Sequence, residues 1–89
     1  MRTKKIKIIN KLGLHARASM KLIKLTTRFQ SNILIRYNNR EINAKSIMNV
    51  MVLNAGQGAE IELVVTGCDE IIAIKALEQL INNRFGEKE

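Results

Sequence analysis

The chain of 89 residues has no proline, no tryptophan, one cysteine and one histidine. A single cysteine, Cys68, excludes an internal disulfide and agrees with the reducing environment of the cytoplasm. One histidine and one cysteine are too few for a structural zinc site, so we expect no metal and no cofactor. A catalytic thiol normally needs a nearby base, and the only histidine is distant in sequence. We therefore expect the Cys68 thiol to be inert.

Aromatic residues and long apolar runs are also scarce. Aromatics make up 3% of the chain, so its core must be built mainly from aliphatic side chains, within a hydrophobic fraction of 46%. The longest apolar runs, such as residues 50–53, are far shorter than the roughly 20 residues that span a bilayer. No apolar run follows the basic N-terminus, which excludes a secretory signal. We therefore expect a cytoplasmic protein without membrane insertion.

Acidic residues are the third scarce class. Eight Asp and Glu oppose 15 Lys and Arg, giving a formal charge of +7. This balance favours acidic partners, including nucleic acid, and speeds association. An RNA-binding α/β domain would need aromatic rings on its sheet for base stacking, and the chain has only Phe29, Tyr37 and Phe85. We therefore expect no nucleic-acid partner.

Hydrophobic periodicity predicts an α+β fold in one domain spanning residues 1–89. Alternating apolar residues predict strands, helical spacing predicts helices, and the pair 38–39 predicts a two-residue turn. The predicted order is βαββαβα: a four-stranded antiparallel sheet with three helices on one face and the other face largely in water. The predicted strands are 2–9, 33–37, 40–43 and 60–65, and the predicted helices are 16 to about 29, 47–53 and 70–84.

The only histidine, His15, lies where a glycine loop enters the first predicted helix. Unpaired backbone N–H groups and the positive end of the helix dipole favour an anion there. Arg17 adds a guanidinium two residues later and begins a basic stripe that continues through Lys21, Lys24 and Arg28. An imidazole nucleophile beside anion-binding groups suits a phosphoryl group carried on histidine.

The second predicted helix is short and carries more apolar residues than it can bury. Ser46 is a candidate N-cap, as is Asp69 before the third helix. Val50 and Leu53 can point inward, whereas Ile47, Met48 and Met51 share the other side and would form an exposed docking patch. The predicted docking residues are Met20, Lys21, Lys24, Ile47, Met48 and Met51.

Two segments together resemble the HPr family, the histidine-containing phosphocarriers of the phosphoenolpyruvate-dependent sugar phosphotransferase system. They are Gly13-Leu14-His15-Ala16-Arg17 and Ala44-Lys45-Ser46-Ile47-Met48, and Gly67, Asp69 and Glu70 also look like the family. The resemblance covers essentially the whole chain. It implies an open-faced β-sandwich and a phosphoryl carrier without turnover of its own, so that the chain is not an enzyme.

The resemblance also implies partners and residue roles. Enzyme I would phosphorylate His15 on its δ1 nitrogen, and an Enzyme IIA component would receive the phosphoryl group. Arg17 and the backbone of Ala16 would bind the phosphate, and an HPr kinase/phosphorylase would modify Ser46. We expect a monomer. An alternative is a regulatory HPr-like protein that acts mainly by binding other proteins.

The chain departs from the family in places. Ala18 stands where the family usually has proline. Alanine restricts the unfolded chain less than proline does, which lowers the free energy of unfolding by about 0.4–1 kcal/mol. Many members have a carboxylate of the chain's end near the histidine. Because this tail continues past Arg84, no such role is assigned here, and residues 86–89 are expected to fray.

Overall fold

The computed structural model describes residues 1–88, which form four strands, three α-helices and a final 3₁₀ turn. The strands are β1 (Arg2–Lys7), β2 (Asn32–Tyr37), β3 (Arg40–Asn43) and β4 (Glu60–Thr66). The helices are α1 (Ala16–Thr26), α2 (Ile47–Leu53) and α3 (Glu70–Asn82), and the 3₁₀ turn is Arg84–Gly86. The predicted element order is therefore confirmed. No helix in this part of the chain is long and apolar enough to cross a membrane.

The four strands form one antiparallel sheet in the order β1-β4-β2-β3. Ile61 lies opposite Ile6, and Leu63 lies opposite Ile35, so their side chains share one face. All four are buried at 7% exposure or less. The predicted open-faced, four-stranded antiparallel sheet is confirmed.

The helices bury one side each above this sheet, as their 3.6-residue spacing predicts. α3 packs on β1 and β4, and α1 packs against α2 and α3. As predicted, Val50 and Leu53 of α2 point into the core. The buried positions of the two longer helices are Ala18, Ser19, Leu22 and Thr26 of α1 and Ala73, Leu77 and Ile81 of α3.

Three element boundaries differ from the prediction by two or more residues, while β2 begins and β4 ends one residue outside the predicted range. β1 ends at residue 7 rather than 9, although Ile8 is still buried and its N–H donates to the Ala59 carbonyl at 2.8 Å. α1 ends at Thr26 rather than near residue 29, where Phe29 still packs against the core. α3 ends at residue 82 rather than 84, because Arg84 adopts a left-handed conformation with φ 55°.

The two predicted N-caps occupy the right positions but form no side-chain capping bond. The carboxylate of Asp69 instead accepts the backbone N–H groups of Gln30 and Ser31 at 2.9 and 3.0 Å, and also the Ser31 hydroxyl. These bonds, led by the Ser31 hydroxyl, lower the pKa of the Asp69 carboxyl. Asp69 thus ties the loop before β2 to the loop before α3.

The expectation of a frayed tail is wrong for Gly86 and Glu87, whose N–H groups donate to the carbonyls of Asn83 and Arg84 at 2.9 Å, and residue 89 lies outside the described residues. Phe85 is fully buried in the core, and Lys21 Nζ donates to its carbonyl at 2.7 Å. Both Arg84 and Phe85 adopt left-handed φ angles, which turn the chain back toward α1. The segment Arg84–Lys88, called the tail below, therefore crosses the start of α1.

Candidate functional site

The loop before α1 is held against the loop after α2. Leu14 N–H donates to the Ala55 carbonyl at 2.8 Å, and Gly13 has a φ of 66°. A Cβ on Gly13 would lie 2.5 Å from the Ala55 oxygen, so only glycine fits. This contact fixes the position from which the chain enters α1.

His15 occupies the N-cap position of α1, with extended backbone angles of φ −76° and ψ 179°. Its carbonyl accepts the N–H of Ser19 at 2.8 Å, which is the first bond of the helix. The N–H groups of Ala16 and Arg17 precede that bond and have no carbonyl partner within the helix. Both residues are exposed, so the predicted phosphate-binding groups lie at an open helix end.

The side chain of His15 contacts a carboxylate that the sequence did not predict. His15 Nε2 is hydrogen-bonded to the carboxylate of Glu87, and Asn10 Nδ2 donates to the other oxygen of that carboxylate at 2.9 Å. The Asn10 bond is the main cause that lowers the pKa of Glu87; burial opposes it, and the His15 contact adds to the lowering. The carboxylate role left unassigned from the sequence thus belongs to a side chain in the tail.

Asn10 connects the two ends of the chain at this site. It is fully buried, and its Nδ2 also donates to the Gly13 carbonyl at 2.8 Å. The Nδ2 group therefore holds both the loop that carries His15 and the carboxylate that contacts the ring. Its Oδ1 is buried without a hydrogen-bond partner among the described residues. Asn10 is not among the site residues predicted from the sequence.

The predicted basic stripe is present but is not uniform. Arg17, Lys24 and Arg28 are exposed, whereas Lys21 is half-buried and donates to the tail. Arg17 forms no hydrogen bond or ion pair within residues 1–88, so its guanidinium can turn toward a ligand. Lys11 and Lys88 line the same open depression as His15 and Arg17. Among residues 1–88, the charged side chains that line this depression are thus cationic, apart from Glu87.

The predicted docking patch is largely exposed. Met20, Met48 and Met51 are 56%, 69% and 44% exposed, and Ile47 is half-buried. Leu12, at 66% exposure, lines the depression at His15 and was not predicted as a docking residue. Ser46 is half-buried at the start of α2.

Comparison with known proteins gives consistent matches over almost the whole chain. Residues 2–83 match the family model described as the PTS HPr component phosphorylation site. The phosphocarrier protein HPr of Cupriavidus necator is 55% identical over 82 residues, which cover 92% of each chain. The crystal structure of HPr-C-His from Thermoanaerobacter tengcongensis matches with a TM-score of 0.96 and 43% identity over 100% of both chains. The crystal structure of an HPr dimer from the same organism matches with a TM-score of 0.79 and 44% identity, over 98% of this chain and all of that one.

Proposed function

Because the chain belongs to the HPr family and is a phosphocarrier of the phosphotransferase system, we propose that His15 carries the phosphoryl group. Enzyme I donates this group, and an Enzyme IIA component accepts it. The observation that supports this role is the position of His15. It is the only imidazole in the chain, and it lies beside the unpaired N–H groups of Ala16 and Arg17.

Each of the two successive transfers, to His15 and from His15, is a displacement at phosphorus. The lone pair of His15 Nδ1 attacks the phosphorus of the donor's phosphohistidine, and the broken P–N bond leaves its electron pair on the donor ring. The same exchange then runs from His15 to the acceptor on Enzyme IIA. The chain gains and loses a covalent phosphoryl group, so it acts as a substrate and product of other proteins rather than as an enzyme.

Arg17 binds the phosphate in this proposal. Its planar donors suit phosphate oxygens, and its side chain is not held by another group among the described residues. An exposed guanidinium stabilises the phosphate only moderately, because water competes for it. Moderate binding suits a carrier, since strong stabilisation of the phosphorylated state would slow the next transfer.

Partner docking uses an apolar patch with basic residues beside it. Met20, Met48 and Met51 provide exposed, adaptable apolar surface, and Ile47 provides its half-buried part. Lys24 is exposed and steers an acidic partner, whereas Lys21 contributes charge while bonded to the tail.

Ser46 is the regulatory position in this proposal, modified by an HPr kinase/phosphorylase. A phosphate there adds about −1.5 to −2 charges at a helix start, where the dipole tolerates it. The helix therefore remains folded, while the new charge lies next to Ile47 and Met48. It repels an acidic partner and so weakens docking.

Incubation with phosphoenolpyruvate and Enzyme I tests the carrier role. We expect the wild type to gain one acid-labile, base-stable phosphate, and His15→Ala to gain none. A fully labelled His15→Ala variant would refute the assignment. A protein labelled only on Ser46, by ATP and HPr kinase, would indicate the regulatory alternative.

Ser46→Asp tests the regulatory position. Ser46→Asn is the control, because asparagine is neutral and has the same size as aspartate. We expect Asp to weaken binding to Enzyme I several-fold at low salt, with a smaller effect at high salt. Equal affinities of the two variants would contradict a role for charge at this position. Light scattering of the free protein tests the proposed monomer, and a mass of two chains would overturn it.

A further inference from the structure

The four methionines of the chain all lie at its surface. Each of them is at least 44% exposed, whereas the buried hydrophobic side chains of residues 1–88 are isoleucine, leucine, valine, alanine and phenylalanine. Oxidation converts the flexible, apolar thioether of methionine into a polar sulfoxide, and an oxidant in water reaches an exposed sulfur most readily. The protein thus carries its oxidisable thioethers outside the core, in contact with solvent.

Three of these methionines belong to the proposed docking patch. Met48 and Met51 are three residues apart on α2, so they lie on the same side of that helix. Met20 is exposed on α1, which packs against α2. A backbone hydrogen bond of 2.8 Å also holds the loop before α1 against the loop after α2. The three thioethers therefore lie on the surface that a protein partner of His15 would cover.

We propose that Met20, Met48 and Met51 form a reversible oxidation site through which hydrogen peroxide lowers the affinity of the carrier for its protein partners. This inference rests on the proposed function, because it acts on docking and leaves the histidine ring unchanged. The site is distinct from Ser46, since it needs neither a kinase nor ATP.

The oxidation is a two-electron transfer at each sulfur. A sulfur lone pair attacks one oxygen of the peroxide, the O–O bond breaks, and the second oxygen leaves as water. The thioether is oxidised to a sulfoxide, and the peroxide is reduced. A thiol-dependent reductase reverses the step: two thiols become a disulfide, and the sulfoxide oxygen leaves as water.

A sulfoxide changes the chemistry of the patch without changing the fold. Its oxygen is a strong hydrogen-bond acceptor, and an apolar partner surface offers it no donor. Burying one unpaired polar group of this kind weakens binding by about fivefold or more. Because none of the three thioethers is buried in the core, oxidation removes no core packing.

Treating the folded protein with hydrogen peroxide tests the inference. Peptide mass spectrometry counts the sulfoxides, and a later thiol wash restores the exposed Cys68 thiol from a disulfide or sulfenic acid without reducing sulfoxides. We expect binding to Enzyme I to weaken at least about fivefold, with an unchanged melting temperature. Methionine sulfoxide reductases should then restore the affinity.

Phosphoramidate separates docking from the chemistry at the ring. This small phosphoryl donor reacts with histidine without a protein partner, so oxidised and reduced protein should accept its phosphate at the same rate. Transfer from Enzyme I should instead show a raised KM for the oxidised protein and a nearly unchanged kcat.

A variant that combines Met20→Leu, Met48→Leu and Met51→Leu is the matched control. Leucine has nearly the volume of methionine and forms no sulfoxide, so the variant should bind Enzyme I and be unaffected by peroxide. It keeps Cys68 and also Met1, whose amino group pairs with Glu70 at the start of α3 at 3.0 Å. Any peroxide effect that remains in this variant therefore comes from outside the patch.

Three results would overturn the inference. They are thioethers that stay unoxidised in peroxide, a wild type that carries the three sulfoxides and binds Enzyme I as tightly as before, and a control variant that peroxide weakens as much as the wild type. Reduced wild type that reacts with phosphoramidate but neither binds Enzyme I nor accepts its phosphate would instead overturn the proposed function.

Discussion

Replacing Phe85 by alanine tests whether the tail is part of the folded core. The ring of Phe85 is fully buried, and the residue continues the core beyond the end of α3. A tail that frayed from residue 83 would leave this ring in water. The two arrangements predict stability changes that differ several-fold.

The expected loss is large for a chain of this size. Removing a buried phenylalanine side chain costs about 3–5 kcal/mol, through lost transfer energy and the cavity that remains. A chain of 89 residues has a total stability of about 4–13 kcal/mol. The melting temperature should fall by at least about 12 °C, since each kcal/mol shifts it by about 4–8 °C.

Urea denaturation and thermal melts followed by circular dichroism measure this change. Phe29→Ala is the matched control, because it removes the same atoms from a ring that is only partly buried. We expect it to cost clearly less than Phe85→Ala. A Phe85→Ala loss below about 0.5 kcal/mol, the range of ordinary surface substitutions, would refute the packed tail.

Two further substitutions test the loops. Gly13→Ala should destabilise the protein by at least about 1–2 kcal/mol, since it forces alanine into a left-handed conformation and against the Ala55 carbonyl. Chemical denaturation measures the loss, and an unchanged midpoint would contradict the contact. Asp69→Asn should lower the melting temperature at neutral pH. Because folding lowers the pKa of Asp69, its contribution is complete above its unfolded pKa and is lost as pH falls through its folded one. The difference between wild type and Asp69→Asn should therefore shrink in melts below about pH 4, and a constant difference would argue against this linkage.

Local patterns predicted the sheet and the helices because burial imposes a visible period on each element. Ile61 and Leu63 alternate with glutamates. The buried pairs Leu22 and Thr26 of α1 and Leu77 and Ile81 of α3 are each spaced four residues apart. The site histidine was also predictable, because His15 follows a glycine loop at a helix start. Such signals lie within a few residues of one another.

The tail and its carboxylate were not predictable in this way. Two left-handed residues, Arg84 and Phe85, redirect the chain, and neither belongs to a residue type that favours this conformation. The partner of Glu87 lies 72 residues earlier, and the amide of Asn10 lies 77 residues earlier. The periodicity of apolar residues within one helix or strand gives no information about a contact between residues so far apart in the sequence. The N-caps were wrong in detail for a related reason, since Asp69 bonds a distant loop rather than its own helix.

The separation between His15 and Glu87 also has a consequence for synthesis on the ribosome. The histidine is made 72 residues before its carboxylate, an interval of about 4–14 s at about 5–20 residues per second. During this time β1 is also without β4, the strand with which it pairs. A nascent chain therefore exposes together an imidazole without its carboxylate partner and an unpaired strand edge, and both gain their partners late, from the C-terminal third of the molecule. Truncated translation products that end before the tail would carry the histidine without the carboxylate that contacts it.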